Sequence, residues 1–168
     1  MNEKYELTEE FKEIETFREG CFQKIKVYRI RALRAFADVK AGDLGGFVEM
    51  KQNLSNRGNA WVYGDARVRD YAKVYGDAKV YGDAEVCGDA KVCNNDDIFW
   101  CSSIGSRHGT TTMFRNKDNG ITVTCGCFMG TLEEFADRVE KVHGENIFGK
   151  EYKLLMELAK IHFATKGD

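Results

Sequence analysis

The chain has 168 residues, 43% of them hydrophobic, enough to support a folded unit with its own apolar core. A net charge of −2 excludes general nucleic-acid binding through a basic field. The opening MNEKYELTEE is polar and acidic, and no apolar run approaches a membrane span, so the chain reads as a cytoplasmic protein with no membrane partner.

Thr8 is placed to cap a helix whose first turn holds Glu9 and Glu10, with Leu7, Phe11, Ile14 and Phe17 as its apolar stripe and Gly20 as its stop. Residues 24–34, KIKVYRIRALR, read as a strand carrying Lys24, Lys26, Arg29, Arg31 and Arg34. Either that strand binds phosphate, or Glu6, Glu9, Glu10, Glu13, Glu15 and Glu19 of the preceding element neutralise it.

From Gly58 to Cys93 six hexads follow one another: GNAWVY, GDARVR, DYAKVY, GDAKVY, GDAEVC and GDAKVC. A unit this short has room for one strand and one corner. Ala and Val point inward, the charged residue and the Tyr or Cys point outward, and Gly-Asp makes the corner. Three units close a triangle, so residue n lies under residue n+18, about 4.8 Å away. Counting back in sixes gives Leu54 with Asn56 and Val48 with Met50; counting forward gives Asp96 with Ile98. The predicted fold is therefore mainly β: a short left-handed parallel β-helix of about three coils over 46–99, an N-terminal helix-strand cap over 1–45 and an α+β cap over 100–168. The handedness comes from a resemblance, given below.

The C-terminal cap reads as a hairpin and two helices. Thr110 to Arg115 and Ile121 to Cys127 are β-rich and joined by NKDNG. Thr131 and Glu134 form a capping box for a helix with the stripe Leu132, Phe135, Val139 and Val142, which Gly144 ends. Tyr152, Leu155, Leu158 and Ile161, widened by Leu154, form the inward stripe of the last helix.

The inward Ala and Val and the Gly-rich corners of the hexads resemble the hexapeptide-repeat superfamily. That resemblance implies left-handed β-helices, a homotrimer and, in the best-known members, acyl transfer from acyl-coenzyme A by a histidine near the coils. The runs YRIRALRAFADVKAGDLGGFVE and GSRHGTTTMFRNKDNGITVTCGCFMGTLEEF resemble small phage and prophage proteins of the same type. No histidine precedes His108, so His108 is the only base available to an acyltransferase.

The n+18 rule places Trp61 under Lys79, and Tyr63 under Tyr81 and then Phe99, an aromatic column beside a lysine. Such a column stacks a base or forms a subunit seam. Arg67 stands under Glu85, a structural pair, whereas Arg69 stands under Cys87 without a partner and Lys73 stands under Lys91. Ser106, Arg107 and His108 lie in a Gly- and Ser-rich run suited to an anion or to an ordinary loop. Asp65 under Asp83 and Asn59 under Asp77 read as corner residues, and the six cysteines lack a CxxC pair or a full set of metal ligands. The favoured function is a non-enzymatic, oligomeric binding protein, phage-encoded and anti-defence in role. It would take a small anionic or nucleotide-like ligand at Trp61, Tyr63, Lys79, Tyr81, Arg69, Ser106, Arg107 and His108, or engage a host protein, with no metal and no cofactor. A hexapeptide acyltransferase and a structural phage component are the alternatives.

Overall fold

The computed structural model describes residues 3–18 and 20–164. Its first element corrects the predicted N-terminal helix. β1 (Tyr5–Arg18) and β2 (Cys21–Ala32) form an antiparallel hairpin turned at Gly20, whose φ of 82° suits glycine. The three-to-four spacing of Leu7, Phe11, Ile14 and Phe17 imitates a helical stripe, but in the strand Phe11 and Phe17 share one face and Ile14 takes the other. An acidic strand beside a basic one decides the outcome: Glu13 pairs in register with Lys26 and Glu15 with Lys24, while Arg29 donates to Glu10 at 2.8 Å and Arg31 to Glu6. The expected neutralisation occurs across strands at Glu6 and Glu10, whereas Glu13 and Glu15 stand opposite lysines without forming ion pairs among the described residues; Glu19 lies outside the described residues. Thr8 accepts the N–H of Glu10 at 3.2 Å within a register shift between Leu7 and Phe11, and caps no helix.

β3 (Leu44–Val48) pairs antiparallel with β2. The repeats supply β4 (Trp61–Val62), β5 (Arg67–Val68), β6 (Lys73–Val74), β7 (Lys79–Val80), β8 (Glu85–Val86) and β9 (Lys91–Val92). Their parallel pairs follow the predicted offset: Trp61 with Lys79, Arg67 with Glu85, and Lys73 with Lys91. The inward positions are also as read, since Ala66, Val68, Ala72, Val74, Ala78 and Val80 are wholly buried.

The left-handed parallel β-helix expected from the repeat is not shown. The strands fall into four separate sheets, and the largest, β1-β2-β3-β5-β8, is mixed and opens with the antiparallel hairpin. β4-β7 and β6-β9 are separate two-stranded sheets. Each repeat strand is only two residues long, so Gly-Asp corners interrupt the ladder before it becomes a continuous coil. Counting back in sixes also fails at Leu54, which bridges Val74 rather than residue 72 because a 3-10 turn at Lys51–Asn53 intervenes. Asn53 is buried there and donates to the carbonyls of Asp70 and Ala72 at 3.0 and 2.9 Å.

The C-terminal part is a four-stranded antiparallel sheet of β10 (Ile98–Ile104), β11 (Gly109–Arg115), β12 (Ile121–Cys125) and β13 (Phe128–Thr131), in that order. The hairpin of β11 and β12 is as read; β10 and β13 extend it. α1 (Leu132–His143) and α2 (Ile147–Ala164) cover one face. The capping box is present: Thr131 accepts the Glu134 N–H at 3.1 Å and donates its own to Glu134 at 2.7 Å. In α2, Tyr152 and Leu155 face inward with Met156, Ala159 and Phe163, whereas Leu154, Leu158 and Ile161 are exposed. Among the described residues no helix is long and apolar enough to cross a membrane.

Candidate functional site: an arginine-bearing cleft

The aromatic column expected on the repeat surface is partly enclosed by the chain that precedes it. Trp61 is 1% exposed, held edge-on between Tyr5 and Phe36 with ring centroids 6.2 and 5.3 Å away. Tyr63 and Tyr81 stack at 4.4 Å as read, but Trp100 follows them at 6.1 Å; Phe99 turns toward α2 and meets His162 at 5.3 Å. Asp38 closes the side of the column, taking Lys79 Nζ at 2.6 Å and the Tyr63 hydroxyl at 3.0 Å. The Lys79 hydrogen bond holds the Asp38 carboxyl below its ordinary range, while burial and then Asp38 push the Tyr63 hydroxyl up. Lys79, Tyr63 and Tyr81 therefore share a satisfied cluster.

Arg69 lies elsewhere, and it is not unpartnered. It donates to Glu85 at 2.7 Å, to Asp70 at 2.7 Å and to the Thr16 hydroxyl at 2.9 Å. It belongs to the wall of a cleft of about 1010 Å³ between the β1–β2 hairpin tip, the β5–β8 strands and the turns of the C-terminal sheet. His108 borders this cleft from the turn between β10 and β11; Ser106 and Arg107 are exposed in the same turn. The sequence-derived set is thus divided between the Asp38 cluster, the cleft wall and a hairpin turn.

The cleft is lined by three arginines, Arg18, Arg67 and Arg69, and four acids, Glu15, Asp70, Asp83 and Glu85, and Arg18 ties in a fifth acid, Glu49. Arg18 makes a two-pronged contact with Glu49 at 2.9 and 2.6 Å and also meets Asp70. The Asp70 carboxylate additionally accepts from the Gly88 N–H at 3.0 Å, and the Asp70 N–H donates to Glu49 at 2.7 Å. Although burial pushes Glu49 upward, the Arg18 and Asp70 hydrogen bonds keep its carboxyl below the usual range. Arg67 is different: its nearest acid is Glu85 at 3.9 Å, and that carboxylate is already held by Arg69. Its Nε, like that of Arg18, is enclosed and has no hydrogen-bond partner among the described residues. Phe17, Phe22, Phe128 and Tyr71 add aromatic surface to the lining.

Asp70 was overlooked by sequence reading, yet its signal is in the repeat. Every other hexad between residues 58 and 88 starts with Gly at positive φ; the DYAKVY hexad starts with Asp70, at φ 60°. A non-glycine residue in this region costs about 1 kcal/mol or more. The carboxylate gained at that corner organises Arg18, Arg69 and the Gly88 N–H, a return that compensates the strain.

The paired corner residues make distant side-chain contacts in place of turn-backbone ones: Asn59 donates to Asp77 at 2.9 Å, and Asp65 is held by Lys12, 53 residues away, at 2.6 Å. Among the described residues no three His, Cys, Asp or Glu side chains converge to hold a metal. Cys125 accepts the Thr111 hydroxyl at 3.2 Å, and Cys127 is exposed. No protein-family model matches the chain, and no curated protein matches it. The described residues form a mainly β protein with a helix-covered C-terminal sheet and a large charged cleft.

Proposed function

We propose that the protein is a non-enzymatic binding protein whose cleft takes a small organic anion carrying a planar ring, the chemistry of a nucleotide. The carrying observation is Arg67, a cation of the cleft wall with an enclosed donor left unused and its nearest carboxylate committed to Arg69. A guanidinium in that state gains most from a phosphate or carboxylate arriving with two oxygens. Arg18 and Arg69 support the site by fixing Glu49, Asp70 and Glu85, and the aromatic lining offers stacking surface. The volume suits a ligand of nucleotide size. In keeping with the phage-like flanks, such binding would sequester the ligand from its host.

Titration calorimetry with AMP, ADP and a cyclic dinucleotide tests the proposal. The parent binds at least one of them, and Arg67→Ala weakens binding tenfold or more, since a charge-assisted hydrogen bond contributes about 1.5–3 kcal/mol. Arg107→Ala leaves affinity unchanged. No binding to any of the three at millimolar concentration, or parental affinity in Arg67→Ala, overturns it.

A further inference from the structure

The outer face of the β1–β2 hairpin is largely exposed, and at its tip Glu15, Phe17 and Phe22 also border the mouth of the arginine-bearing cleft. Its inner face lies on the body of the protein, with Lys12 over the Phe47 ring and Thr16 bonded to Arg69. The outer face carries four rungs, read from the cross-strand register: Phe11 with Tyr28, Glu13 with Lys26, Glu15 with Lys24, and Phe17 with Phe22. Phe17 and Phe22 are 61% and 68% exposed and meet edge-to-face at 5.2 Å; Phe11 is 43% exposed. Glu13, Glu15 and Lys24 are exposed and make no ion pair among the described residues.

Each rung joins either opposite charges or two aromatic rings, and this pattern has a symmetry consequence. We infer that this face binds a second copy of the chain, the two hairpins packing face to face about a two-fold axis parallel to their strands. Under that operation β1 of one copy lies over β2 of the other at the same height. Glu13 then faces the second copy's Lys26, Glu15 its Lys24, Phe17 its Phe22 and Phe11 its Tyr28. A two-fold axis across the strands instead sets Glu13 against Glu15 and Lys24 against Lys26, and like charges in contact oppose it. Charge complementarity therefore selects one isologous dimer, with aromatic anchors at both ends and ionic rungs between them. The exposed aromatic surface alone is on the order of 300 Å² per copy, to which the charged rungs add their aliphatic stems.

The test is sedimentation velocity on the full chain. The parent sediments as a dimer. Glu13→Lys/Glu15→Lys makes the face wholly basic and Lys24→Glu/Lys26→Glu makes it wholly acidic; each alone sediments as a monomer, and an equimolar mixture restores the dimer. Circular dichroism reports whether each variant is folded, and Phe22→Ser, which leaves the charges alone, also shifts the parent to monomer. Arg67→Ala remains dimeric, so failure of the ligand proposal and failure of this one are distinguishable. A parent that is monomeric at hundreds of micromolar, a trimer, or folded charge variants that still dimerise separately would overturn the inference.

Discussion

Lys4 is wholly buried, an uncommon position for a lysine, and its environment can be read as a titration. Its ammonium donates to the Ala60 carbonyl at 2.8 Å and sits 5.0 Å from the Phe36 ring centroid. Burial, and secondarily the charge of Arg34, lower its pKa from 10.5 to about 8. Between these two values the unfolded chain holds a proton that the folded chain has released, so stability rises with pH across the window from about 8 to 10.5. Below pH 8 both states are charged and the full burial penalty applies; above 10.5 it is absent. The whole difference is about 3 kcal/mol, of which about 2 kcal/mol develops between roughly pH 7 and 9.5. Other groups act in the opposite direction in this range: burial raises the Cys87 thiol to about 12 and also raises the Tyr5 hydroxyl. The measurement is therefore a difference. Urea unfolding of the parent and of Lys4→Met, followed by circular dichroism at pH 7 and pH 9.5, gives two pairs of stabilities. Relative to Lys4→Met, the parent should gain about 2 kcal/mol between them. Pairs that shift together within about 0.5 kcal/mol would refute a buried, weakly basic Lys4.

Glycine corners and thiols provide two further checks. Gly76→Ala puts a Cβ 2.5 Å from the Cys93 carbonyl oxygen at φ 64°, whereas Gly20→Ala at φ 82° meets nothing within 4 Å. Gly76→Ala should lower stability by about 3 kcal/mol or more and Gly20→Ala by about 1 kcal/mol; equal losses in chemical denaturation would show that conformation alone sets the cost. Cys87 is buried with its thiol pushed up to about 12, while Cys21 and Cys127 are exposed. Mass-resolved alkylation at pH 8 should modify Cys21 and Cys127 first and Cys87 only on unfolding; early labelling of Cys87 would contradict its packing.

The hexads made the buried Ala and Val positions legible because a six-residue period fixes both the inward set and the pairing partner. Trp61 with Lys79 and Arg67 with Glu85 follow from counting alone. The larger architecture was not legible, since identical two-residue pairs fit one continuous coil or several small sheets, and the N-terminal hairpin has no repeat to announce it. Leu7, Phe11, Ile14 and Phe17 satisfy a helical spacing as well as a bulged strand, and only the basic partner strand selects between them. At the site, counting placed Arg69 beside Cys87 correctly but could not see Glu85 and Asp70 reaching it from adjacent positions. Arg18 and Glu49 come from segments without any shared pattern; their meeting depends on the hairpin folding back. The Asp70 substitution at a glycine corner was the one local clue.

The long reach of the N-terminal contacts orders events during synthesis. Lys4 closes on Ala60, 56 residues later, and Thr16 on Arg69, 53 residues later. A hairpin forms in about 1–10 μs, whereas translation at roughly 5–20 residues per second needs several seconds to deliver those partners. β1 and β2 must thus wait to be docked. Throughout that interval Lys4 remains hydrated and fully charged on the ribosome, and its burial records the moment at which the first hexad becomes available to receive it.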